Sequence, residues 1–108
     1  MVASIEQVQR GVRAYVEREI ASQAVGFKKF AVYFLLPQLD KYTSDYLNKF
    51  KTIIPEMFDS TTGNVRLDAF YNNAKSAIKQ TGSFEFMGII FNESDIDKLY
   101  SYINGGNY

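Results

Sequence analysis

Residues 27–36, FKKFAVYFLL, gather eight apolar side chains around only two charges, Lys28 and Lys29, immediately before Pro37. A helix that is apolar on nearly all sides requires neighbours all round it. The first expectation is therefore a central core helix, touched by the N-terminal helix, by the segment after Pro37 and by a hairpin near the C-terminus. The alternative leaves part of Phe27, Phe30, Tyr33 and Phe34 exposed as a candidate interaction surface, for self-association or for a protein partner, with the rings as anchors. A membrane role is not expected. The longest uninterrupted apolar run, residues 30–36, is seven residues, against the about 20 that span a bilayer. Two lysines also attract an anionic surface only weakly.

The rest of the chain reads as amphipathic helices. Ser4, Ile5, Glu6 and Gln7 have the spacing of a capping box, so a first helix begins at Ile5. Ile5, Val8, Val12, Tyr15, Val16 and Ile20 then form one apolar stripe, and Gly26 is a candidate stop. Pro37 predicts a kink or a new helix, because it lacks an amide proton and disfavours helical geometry at Leu36. Beyond it, Leu39, Tyr42, Tyr46, Leu47, Phe50, Ile53 and Ile54 resume the stripe until Pro55. Residues 59–64, DSTTGN, form the clearest loop. A third helix is predicted over residues 65–80, with Leu67, Phe70, Tyr71, Ala74, Ala77 and Ile78 inward and Gly82 just past its end.

Residues 83–91 are β-prone apart from Gly88, which predicts a short hairpin turning near Met87 and Gly88, or a single bulged strand. Asn92 is placed to cap a last helix, with Glu93, Asp95 and Asp97 near its positive end and Ile96, Leu99, Tyr100 and Ile103 on its buried face. Gly105 and Gly106 end it, leaving Asn107 and Tyr108 as a loose tail. One echo is visible. Leu67, Asp68, Phe70 and Tyr71 repeat the pattern of Ile96, Asp97, Leu99 and Tyr100. Two amphipathic helices with an acid in an early turn account for it without duplication.

The expected architecture is one mainly α (α+β) domain over residues 1–108. Four to five helices pack as a small bundle, with a short β-hairpin near residues 83–91 before the C-terminal helix. It divides into a helical N-terminal half (4–58), a loop (59–64) and a helix-hairpin-helix half (65–104). The chain is long enough to bury a core without covalent staples.

Composition removes much chemistry. With no Cys and no His, disulfides, Cys/His zinc sites, thiol nucleophiles and His-dependent triads are excluded. Carboxylates, Lys, Ser, Thr and Tyr remain. Glu93, Asp95 and Asp97 are the densest acids, but alternate positions on a helix do not share a face, and the glycine and terminal Glu of a calcium loop are missing. Ser76 with Lys79, and Ser94 with Lys98, are spacings found on any solvated helix. No Walker-type loop or dinucleotide glycine pattern occurs. The expectation is a chain that is not an enzyme, with no catalytic residue, metal, cofactor or small-molecule substrate.

Twelve basic residues balance twelve acidic ones, which gives no general electrostatic grip on nucleic acid. The candidate basic face is Arg10 and Arg13 on the first helix, interleaved with Glu6, Glu17 and Glu19. A small DNA-binding regulator using that helix is the alternative function. The N-terminal residues lack the basic and apolar regions of a secretory signal, so the sequon Asn92-Glu93-Ser94 carries no weight.

Residues 63–68 (GNVRLD), Tyr71, Ala74-Lys75, Phe84-Glu85-Phe86, Gly88-Ile89 with Phe91, and Glu93 through Tyr100 with Tyr102-Ile103 resemble small proteins of phages and prophages of Gram-positive bacteria. The resemblance covers about residues 63–103 and is built from caps, turn glycines and core positions. It implies phage origin rather than a chemistry, and brings no catalytic or ligand-binding residue to this chain. Taken with the lack of catalytic groups, it leads to the expectation of a non-enzymatic accessory protein acting through protein contacts, in a structural, assembly or adaptor role. The expected location is the cytoplasm of a bacterial host or the virion.

Overall fold

The computed structural model describes residues 2–86 and 88–105. The expected turn at Met87, the stop at Gly106 and the tail at Asn107 and Tyr108 therefore fall wholly or partly outside the described residues. The architecture is mainly α with a small β-hairpin, as the periodicity predicts. α1 spans Ile5–Tyr15 and runs on as a π-helical turn, Val16–Ala21. α2 is Phe27–Leu35, followed by a 3-10 turn at Leu36–Gln38 and then by α3, Leu39–Ile53. A second 3-10 turn, Pro55–Met57, leads to the loop, then α4 (Leu67–Thr81) and α5 (Glu93–Ile103) follow.

Among the described residues, two antiparallel strand pairs complete the fold. β1 (Val2–Ala3) pairs with β2 (Val65–Arg66), setting Ala3 opposite Val65. β3 (Phe84–Phe86) pairs with β4 (Ile89–Phe91), setting Phe84 opposite Phe91. The second pair is the predicted hairpin, and the bulged-strand alternative is excluded. The first was not anticipated: Val65 and Arg66 extend along the N-terminal strand, so α4 starts at Leu67 rather than at residue 65.

Local chemistry fixes the helix ends. The Ser4 hydroxyl accepts the Gln7 amide at 3.0 Å. The Gln7 side chain does not return to close a capping box. It donates instead to the Ile103 carbonyl at 3.0 Å, joining the start of α1 to the end of α5. Asn92 and Asp95 do form a full capping box, at 2.9 and 3.2 Å. Gly82 closes α4 in the left-handed region, as its position predicts. Gly26 does not stop the first helix, which ends at Ala21. It stands at φ 60° as the residue before α2, a conformation that favours glycine.

The core is built without α2. α1 packs on α5 and α3, α4 packs on α5, and the hairpin lies against α4 and α5. Inside, Phe70 meets Phe86 at 5.4 Å and Phe84 at 5.9 Å, while Phe50 stacks on Phe86 at 6.0 Å. At the other end, Tyr15 sits 5.4 Å from Phe91 and 6.0 Å from Tyr102. Burial, reinforced by the negative charges of Asp95 and Glu19 and by Tyr102, pushes the Tyr15 hydroxyl up to about 12. α3 turns a slightly different face inward from the one expected. Leu39, Thr43 and Leu47 are buried and Tyr42 and Ile53 are exposed. The Thr43 hydroxyl is accommodated by donating to the Leu39 carbonyl at 2.8 Å.

The sequence echo acquires a geometric meaning. The Tyr71 hydroxyl donates to Asp97 at 2.6 Å, the Tyr100 hydroxyl donates to Asp68 at 3.2 Å, and the two rings meet edge-on at 4.9 Å. Each motif therefore supplies the acceptor for the other's tyrosine across the α4–α5 seam. Lys75 joins this seam, 3.0 Å from Asp97 and 3.2 Å from Glu93. Glu93 and Asp97, four residues apart, thus do share a face, which corrects the expectation drawn for this acidic cluster. The Tyr71 hydroxyl and the Lys75 ammonium hold the Asp97 carboxyl below its usual value.

Two predictions follow from this packing. A β-carbon at Gly11 would stand 2.5 Å from the Ile103 Cα and 2.8 Å from its amide nitrogen, so the obstruction is backbone. Gly11→Ala gains about 1 kcal/mol of helix propensity and incurs an overpacking cost of about 3 kcal/mol or more against an unyielding wall. A net loss of roughly 2 kcal/mol is expected in urea denaturation. For Asp97, a folded-state pKa below the unfolded value means stability that is present above about pH 4 and lost as pH falls through the folded value. The urea midpoint of wild type should fall more steeply below about pH 4 than that of Asp97→Asn, and equal slopes would contradict the assignment.

Candidate interaction surface

Gly26 turns the chain out of the π-helical end of α1 and starts α2, with the Lys29 amide donating to the Gly26 carbonyl at 3.1 Å. No side chain caps this start. Val32, Leu35 and Leu36 are half-buried against the body, and none of the α2 residues is fully buried. The opposite face is open. Phe27 is 87% exposed, Phe30 66%, Tyr33 54% and Phe34 78%. The expectation of a central core helix is thereby overturned. The aromatic rings of α3, α4 and the hairpin already fill the interior, so α2 lies outside it on one flank.

Phe27, Phe30 and Phe34, spaced by three and four residues, lie on one helical stripe, with Tyr33 at one edge and exposed Ala31 at the other. An aromatic side chain presents roughly 200 Å², so the four exposed fractions amount to roughly 500–600 Å² of largely apolar surface. That is at the upper end of the patches carried by monomeric proteins, which are often functional. Val25 beside it is also exposed. Along the Ala31 edge of the stripe, a groove of about 430 Å³ separates the helix from the π-helical turn, lined by Glu19, Ile20, Gln23, Ala24, Lys28, Ala31 and Val32.

The electrostatics of α2 are unusual for a helix start. Lys28 and Lys29 occupy its first turn, no acid stands there, and no base stands in its last turn. Cations belong at the opposite end of a helix dipole, so the isolated helix carries its charge at the unfavourable end.

The candidate basic face is less free than its spacing suggests. Arg10 is exposed, but the Arg13 guanidinium lies 2.9 Å from Asp40. Gln9 bonds the Asp40 backbone carbonyl at 3.0 Å, so this part of α1 is engaged with α3. Among the acids, Asp95 serves its cap and Glu93 and Asp97 serve Lys75. Lys98, offered as a partner for Ser94, lies 3.6 Å from Glu19. Among the described residues no group of three acids converges as a metal site, and no helix is long and apolar enough to cross a membrane.

Sequence reasoning did not single out Gly11, and it named Lys75 only within the resemblance and gave it no partner, although both organise helix seams. Gly11 leaves a signal, being a lone glycine inside a well-formed amphipathic helix. Lys75 leaves none, because its partners lie on another helix. No protein-family model matches the chain, and no curated protein and no solved structure matches it either.

Exposure makes the surface separable from the fold. Phe30→Ser and Phe34→Ser should each change stability by no more than about 0.5 kcal/mol. Phe86→Ala, inside the ring cluster, should cost about 3–5 kcal/mol. Chemical denaturation of the three variants checks the contrast, and a large loss for Phe30→Ser would return that ring to the core.

Proposed function

We propose that the chain is a non-enzymatic accessory protein of phage or prophage type, acting through protein–protein contacts made by the outer face of α2. The observation that carries the contact reading is the exposure of Phe27, Phe30, Tyr33 and Phe34 on one face. Rings of this size anchor interfaces because they bury large areas while fixing few rotors. The phage assignment rests on the resemblance of residues 63–103, and a structural, assembly or adaptor role is the one that needs a contact surface and no reactive group. The balanced charge and the engagement of Arg13 with Asp40 favour this reading over a DNA-binding regulator using α1.

The test is affinity capture from phage-infected or induced Gram-positive cells, with wild type and the folded double variant Phe30→Ser/Phe34→Ser as paired baits. Wild type should retain a virion, assembly or host protein, or its own untagged copy, that the variant loses. Identical recoveries from the two baits would sink the proposal, as would a DNA shift abolished by Arg10→Glu/Arg13→Glu.

A further inference from the structure

We infer that the first occupant of the α2 face is a second copy of this chain, packed with the two α2 helices antiparallel about a two-fold axis. The inference rests on the protein-contact reading above and specifies its partner. Phe27, Phe30, Ala31 and Phe34 stand at positions i, i+3, i+4 and i+7, and all four are exposed. This spacing reads the same in both directions. A two-fold axis midway between Phe30 and Ala31 places Phe27 of one copy opposite Phe34 of the other. It also places Phe30 opposite Ala31 twice, ring against gap. The same patch thus complements itself, as an isologous interface requires, and large side chains alternate with a small one as helix packing requires.

Charge points the same way. In the antiparallel pair, Lys28 of each copy, at the rim of the stripe, lies beside the C-terminal end of the other copy's α2, which carries no base of its own. That cation stands at the unfavourable dipole end of its own helix and meets a favourable one in the dimer. A parallel pair would instead set the two Lys28 side chains at the same end. Area is consistent as well. A standard interface buries about 800 Å² on each partner. The four rings offer at most roughly 500–600 Å² of it, and exposed Val25, Ala31 and the Lys28 stem border them.

The experiment is light scattering after size exclusion over a concentration series, with wild type, Phe30→Ser and Ala31→Trp. Wild type should reach twice the 12.4 kDa of one chain, and both variants should raise the dissociation constant by about tenfold or more without losing far-UV helicity. Ala31→Trp tests the small position directly, since it adds apolar surface and still removes the gap for Phe30. Orientation is read by cysteines, because the native chain has none. A mixture of Phe27→Cys and Phe34→Cys copies should cross-link through a short bis-maleimide faster than either variant alone, because like positions are offset by about 10 Å along the helices.

A folded monomer at every concentration overturns the inference, and so does cross-linking of Phe27→Cys copies to one another as fast as or faster than to Phe34→Cys copies. Wild type that remains monomeric but co-sediments with phosphatidylserine-rich vesicles overturns it in favour of a lipid surface. If wild type is monomeric while the paired baits still differ in what they capture, the second copy fails and the protein-contact reading stands. If the baits do not differ either, both fail.

Discussion

α1 and α5 cross at Gly11 and Ile103 so closely that even a methyl group on Gly11 would meet backbone. Helices usually keep their axes 8–10 Å apart, the distance being set by the side chains between them. With a hydrogen atom in place of a side chain on α1, the two helices close up. The Gln7 side chain then reaches the last carbonyl of α5, and Tyr102 reaches back to Glu19 at 3.0 Å. The first and last helices of the chain become one unit. Its ends then dictate the rest: α3 lines the other side of α1, and α4 and the hairpin close over α5.

Once that pair is in place, the position of α2 follows from space. Four phenylalanines from α3, α4 and the hairpin occupy the interior on one side, and Tyr15 with Phe91 occupies it on the other. Close-packed interiors accept no further large rings without strain. The three phenylalanines of α2 stay outside that packing, and Val32, Leu35 and Leu36 are the half-buried contacts at this helix.

The same distinction explains what the sequence made legible. Caps at Ser4 and Asn92, the stop at Gly82 and the hairpin are decided within a few residues, and each is found where its residues predict. The β1–β2 pair joins two-residue strands more than sixty positions apart, and nothing local in Val2, Ala3, Val65 or Arg66 announces it. Thr43 looks like a surface residue until the Leu39 carbonyl satisfies its hydroxyl. The echo of Leu67–Tyr71 in Ile96–Tyr100 is plain in the sequence, but whether two similar helices face one another is a tertiary fact. For residues 27–36, apolarity on all sides established that something should cover the helix. It carried no information on whether that cover comes from the same chain.

An apolar helix on the outside of a stable fold has a physical consequence of its own. The side chains that hold α2 in place, Val32, Leu35 and Leu36, are not those that it presents, Phe27, Phe30 and Phe34. Changes on the outer face therefore leave the inner contacts and the α1–α5 frame untouched, whereas the rings of the core have no such freedom. Seated between the φ of Gly26 and the 3-10 turn at Pro37, α2 keeps its outward face pre-formed in the monomer. A contact made there loses little conformational entropy beyond the rotors of the rings themselves, which is the condition under which a patch of a few hundred Å² is sufficient to bind.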